Sequence, residues 1–136
     1  MQQYTAQIRM KLPSLNDMIR ESRGSRYEAN NTKRRLEMCI RQYIEILPTF
    51  RNPVEIHFHW IEENRRRDLD NISAAGRKYI LDAMVRAGKL LDDNLDHIQE
   101  LRDTVEIGRP AGCILTIREH PGGLIIKKAK KGGATW

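Results

Sequence analysis

Arg65-Arg66-Arg67-Asp68-Leu69-Asp70-Asn71 sets three cations directly before two carboxylates spaced i, i+2, and a second acidic pair, Asp92-Asp93, follows further along the chain. On an extended backbone Asp68 and Asp70 leave the same side about 6–7 Å apart, close enough to share one hard cation. Oxygen-only ligands select Mg²⁺ or Mn²⁺, and such an ion activates water and stabilises the in-line transition state of phosphodiester hydrolysis. Arg65, Arg66 and Arg67 suit the phosphate esters of a polyanion. No Ser/His/Asp or Cys/His nucleophilic set is evident beside them.

Other readings of these residues differ in how well they fit. An EF-hand loop needs a ligand where Ile72 stands, a glycine where Ser73 stands and a bidentate Glu where Tyr79 stands, so it is excluded. A sugar-nucleotide transferase also holds a divalent ion with D-x-D, but the chain has no Gly-rich strand-to-helix turn for the nucleotide. A structural alternative stays open, in which Asp70 or Asn71 N-caps the following helix and the arginines are solvated. His57 and His59 could bind a metal from one strand face, although no third ligand stands nearby, and His97 beside Asp96 is a weaker candidate for proton transfer.

The elements that must position this cluster follow from hydrophobic periodicity. Tyr4, Ala6, Ile8, Met10 and Leu12 alternate with polar residues up to Pro13, a first strand. From Ser14 to Asn31 that periodicity is lost, and Arg20, Arg23, Arg26 and Lys33 gather around Gly24 in what reads as a long basic loop for a phosphate backbone to order. A helix capped at Asn30 or Asn31 carries the stripe Leu36, Cys39, Ile40, Tyr43 and Leu47 and stops at Pro48. Val54, Ile56, Phe58 and Trp60 alternate with Glu55, His57 and His59 in a strand that leads directly into Arg65. Asn71 to Ala87 reads as a helix ended by Gly88 at C′. Leu101 to Ile107 and Cys113 to Arg118 read as strands joined in a hairpin by Gly108-Arg109-Pro110-Ala111-Gly112. One mixed sheet of about four strands with two main helices over one face is an α+β domain, spanning residues 1–121. Residues 122–136, with Lys127, Lys128, Lys130 and Lys131, read as a basic, disordered tail.

At 136 residues the chain has room for one core. Lys and Arg outnumber Asp and Glu 24 to 18, a formal charge of +6 with a sequence pI near 9.6, which favours a polyanionic partner. Cys39 and Cys113 stand far apart among apolar neighbours, as reduced core thiols of a cytoplasmic protein do. With no apolar leader and no run of about 18 apolar residues, neither export nor a membrane partner is expected.

The basic run with Asp68-Leu69-Asp70-Asn71, then Leu81-Asp82-Ala83-Met84, Ala87-Gly88 and Asp92-Asp93, resembles the signature of the RusA family of Holliday-junction endonucleases. Its elements are basic residues, D-x-D-N, a helix with D-A-[LM], A-G and D-D. The upstream order, with Leu12-Pro13-Ser14-Leu15-Asn16 before a basic segment, a helix and a strand, is similar too. The resemblance implies a RusA-like fold and a small homodimeric, Mg²⁺-dependent enzyme, often prophage-encoded, acting on the DNA of the nucleoid. It would resolve four-way junctions by paired symmetric nicks through metal-activated water. The resemblance assigns metal ligation and catalysis to Asp68, Asp70 and Asp93. It also places a functional lysine in the helix, at Lys78 counted back from Leu81 or at Ala74 counted forward from Asn71; Lys78 is the better fit, with Arg77 the nearest substitute. Arg65, Arg66, Arg67 and Arg77, with Arg20, Arg23 and Arg26, are then the residues expected on the junction backbone.

Length sets a conflict within this assignment. A helix unbroken from Ile72 to Ala87 is roughly 24 Å long, and the segment from Lys89 to Asp93 retraces at most about 17 Å. Either the helix starts late, near Gly76, or Asp93 completes the site of a second subunit across a two-fold axis. The competing function is a non-catalytic basic DNA-binding module whose acidic cluster is structural.

Overall fold

The computed structural model describes residues 2–123 and 125–129, which run as β1 (Gln3–Ile8), α1 (Leu15–Ser22), α2 (Arg26–Ile44), β2 (Val54–Glu62), α3 (Leu69–Arg86), β3 (Ile98–Ile107) and β4 (Gly112–Glu119). The strands form one sheet in the order β1-β4-β2-β3. β2 is parallel to β3 and antiparallel to β4, and β1 is antiparallel to β4. This is the expected α+β domain with a four-stranded mixed sheet, carrying three helices where two main ones were read. No helix among the described residues is long and apolar enough to cross a membrane.

Alternation along β2 decides the layering. Val54, Ile56, Phe58 and Trp60 are buried with Ala6, Ile8, Leu115 and Ile117 of the neighbouring strands against Ile40 and Ile44 of α2 and Ile80 and Met84 of α3. The opposite sheet face is polar: one row reads Thr5, Thr116, His57 and Arg102 across the four strands. His57 Nε2 and His59 Nδ1 both bond Thr104 Oγ1, at 2.7 and 2.6 Å, and His59 Nε2 meets Glu106 at 2.9 Å, so these histidines belong to the sheet face.

Four expectations are corrected. The segment from Ser14 to Asn31 is helical, forming α1 and the start of α2, because Ser14 and Ser25 each cap a helix with their side chains. Cap and start of α2 therefore fall at Ser25 and Arg26, not at Asn30 or Asn31. β3 and β4 form no hairpin, since β2 lies between them; their connection crosses the end of β2, a gap of roughly 10 Å that a few residues span. Cys39 is exposed, leaving Cys113 as the buried thiol, whose pKa burial pushes far up and out of nucleophilic range. Of the expected tail, Leu124 and residues 130–136 lie outside the described residues; within the rest, the Ile125 and Ile126 N–H groups donate to the Gln99 side-chain oxygen.

Two glycines set the placement of α3. Gly88 ends it at φ +74°, a left-handed turn that L side chains resist. Gly76 lets it lie directly on β2, since a Cβ there would stand 2.4 Å from Cη2 of Trp60, whose ring is itself stacked on Phe58 with centroids 5.7 Å apart. Gly76→Ala should cost about 1–3 kcal/mol by overpacking, despite the gain in helix propensity. Urea denaturation measures it, and an unchanged or higher midpoint would contradict this account of α3 docking.

Candidate active site

The residue immediately before the acidic pair holds the local structure. Arg67 Nε and Nη2 donate to the two carboxylate oxygens of buried Glu62 at 2.8 and 2.9 Å, and Nη1 donates to the Leu12 carbonyl at 2.8 Å. Asp17 of α1 lies 3.9 Å from Nη1. One planar guanidinium thus joins the end of β2, the β1–α1 connection and the first turn of α1. That turn is itself fixed by a capping box between Ser14 and Asp17. The Ser14 N–H, with help from the Ser14 hydroxyl and Arg20 and against partial desolvation, holds the Asp17 carboxyl below the usual carboxylate range.

From this anchor the chain turns into α3. Asp68 takes the N-cap position with φ −79° and ψ 151°, yet its side chain makes no capping hydrogen bond. Asp70 lies in the first turn, where its Oδ1 accepts the Asn71 N–H at 3.0 Å. The pair is therefore not on an extended backbone as expected, because helix α3 begins at Leu69. Nor is the structural alternative met, since neither Asp70 nor Asn71 is the N-cap. Both aspartates are exposed and form no ion pair among the described residues. Two carboxylates with no cationic partner among the described residues fit a divalent cation, but they sit at the positive end of a helix, which weakens cation binding and calls for a third carboxylate.

Asp93 is not that third group within one protomer. At 18 residues α3 is about 27 Å long, and Asp93 follows its far end. Starting at Leu69, the helix is longer than expected, so the late-start solution is excluded. Among the described residues no three His, Cys, Asp or Glu side chains stand close enough to hold a metal ion. Asp93 instead lines a cavity of about 470 Å³ with Lys33, Lys78, Asp82 and Arg86. Lys78, the lysine expected to act, is largely exposed; Asp82 lies 3.9 Å from it and 3.1 Å from Lys33 of α2. Lys33, which the sequence grouped with Arg20, Arg23 and Arg26, is a cation beside Lys78.

The arginines divide into two groups. Arg65 and Arg66 are exposed and carry no ion pair among the described residues; Arg23 and Arg26 are exposed where α1 gives way to α2; Arg20 pairs with Asp17. Arg67 and Arg77, expected on DNA, are held by the fold. Arg77 pairs with Asp103 of β3, which also accepts the Trp60 Nε1–H at 2.9 Å, and lies over the Phe58 ring at 5.6 Å. A cavity of about 550 Å³ lined by Lys11, Arg20, Glu21 and Arg67 adjoins, through Glu21 and then Lys33 and Lys78, the one that contains Asp93. Neighbouring cavities along the helices thus share lining residues, with Asp17, Glu21 and Asp82 set among their cations. No family model and no curated protein sequence matches the chain.

Removing Arg67 would leave Glu62 as a buried, uncompensated charge. Arg67→Ala should cost about 3–5 kcal/mol, and Arg66→Ala within about 0.5 kcal/mol of nothing. Equal effects of the two substitutions on the urea midpoint would contradict the assignment of Arg67 to the frame.

Proposed function

We propose that this chain is a Mg²⁺-dependent, RusA-type endonuclease that resolves four-way DNA junctions as a homodimer, each site combining Asp68 and Asp70 of one protomer with Asp93 of the other. One observation carries the reading. At α1 and α2 the N-cap serines bond the backbone of the first turn, whereas Asp68, at the same position of α3, does not. A carboxylate kept off its own helix and left exposed beside Asp70 is available to a ligand, and its charge suits a cation.

Bound Mg²⁺ would supply the Lewis acid that activates water and offsets charge at the phosphorus. The chain supplies the rest. Asp68 and Asp70 of one protomer with Asp93 of the other would hold the ion, and Arg65 and Arg66 would hold the adjacent phosphates. Lys78, kept near Lys33 by Asp82, meets negative charge developing on the departing 3′ oxygen. Arg67 and Arg77 contribute by fixing the ends and face of α3. With each site split between protomers, an isolated protomer is incomplete, which suits an enzyme that cuts two symmetry-related strands.

Incubation with a four-way junction tests this. Paired nicks should form with Mg²⁺ and vanish with EDTA. Asp70→Asn should lower cleavage roughly a hundredfold or more while binding stays equal or tightens, because a charge repelling DNA has gone. Binding without cleavage in any divalent ion would instead establish the non-catalytic DNA-binding module.

A further inference from the structure

We infer that β3 is the dimer edge: two copies pair their β3 strands antiparallel about a two-fold axis through Thr104, joining the two sheets into one. The inference rests on the split-site reading and names the surface that brings the halves together. Among the described residues β3 pairs only with β2, and no strand covers its other edge. From Arg102 on, its side chains are mostly exposed, with Val105 at 44% and Ile107 at 50%. A long open edge of this kind is a template for another strand.

Topology makes this edge the one that completes the site. β2 and β3 are parallel, so Ile107 lies beside Glu62 at the end of the sheet from which the chain enters Asp68 and Asp70. Asp93 precedes β3 and so belongs to the opposite end. Antiparallel pairing inverts the second copy and carries the partner's Asp93 to the Asp68–Asp70 end. β1, the other open edge, is separated from β2 by β4, and pairing there leaves the two acidic halves on remote sides of the assembly.

Side chains and the Gln99 contact together narrow the register, since an axis through Leu101, which would set Glu100 opposite Arg102 of the partner subunit, would also draw Gln99 into the ladder. Residues directly opposite in an antiparallel ladder share a face, so a symmetric pairing places its axis through a residue. An axis through Arg102 sets that cation against itself. An axis through Asp103 opposes Glu100 to Glu106 of the partner subunit, again like charges. An axis through Thr104 places Arg102 opposite Glu106 of the partner subunit and Leu101 opposite Ile107 of the partner subunit, each pair occurring twice. Arg102 has no carboxylate partner in its own protomer among the described residues. The paired stretch from Leu101 to Ile107 also leaves Gln99 outside, where it holds Ile125 and Ile126.

Sedimentation and disulfide trapping test the interface without any DNA. The wild-type chain should be dimeric, Arg102→Glu and Glu106→Arg should each weaken dimerisation about tenfold or more, and the double reversal should restore it. In a Cys39→Ser background, Thr104→Cys should form a disulfide-linked dimer on mild oxidation, whereas Thr5→Cys on β1 should not. A monomeric wild type, single reversals that leave the dimer intact, or trapping through Thr5→Cys would overturn the inference. A dimer of this kind that fails to cut junctions would sink the nuclease reading alone, and a junction-cutting dimer that fails the trapping would sink this interface alone.

Discussion

The two oxygens of Glu62, buried at the end of β2, hold the guanidinium of Arg67 in a bidentate pair, and most of what is distinctive in the molecule depends on that contact. A carboxylate in this position is tolerable only with its partner in place. The partner in turn reaches the Leu12 carbonyl and the first turn of α1, so one side chain fixes the connection that would otherwise be free to splay from the sheet. The next residue is Asp68. Its position, exposed and uncapped at the start of α3, is thus inherited from a buried ion pair one residue earlier.

A second constraint is the length of α3. Packed onto Trp60 through Gly76 and tied to β3 through Arg77 and Asp103, the helix is a rigid rod between two acidic ends. Bending it to bring Asp93 to Asp68 would break the interior hydrogen bonds and the packing over β2. One protomer therefore keeps Asp93 apart from Asp68 and Asp70. Between those ends, cavities along the helices bring Lys33 and Lys78 together near the middle of α3.

How far this was legible in the sequence differs by element. β2 was plain because a central strand with one buried face must alternate, and it does so without exception from Val54 to Trp60. α1 was missed because, at eight residues with none completely buried, it shows only the short stripe Leu15, Met18 and Ile19; Ser14 and Asp17, spaced as a capping box, were the further clue. The false hairpin arose from a turn of suitable composition, since local chemistry cannot say that β2 will insert between β3 and β4. At the site, the aspartates were found by type and spacing. Which of three consecutive arginines turns inward was not, because that depends on Glu62, and Arg77 finds Asp103 only through the β2–α3–β3 crossover.

Central to this account is a metal site shared between protomers, and subunit mixing tests it most directly. Asp70→Asn and Asp93→Asn chains, each inactive alone, should be co-expressed with different tags and purified as the heterodimer. That heterodimer contains one site with all three aspartates intact, and it should nick one strand of a four-way junction in the presence of Mg²⁺. A heterodimer as inactive as either parent would contradict the shared site.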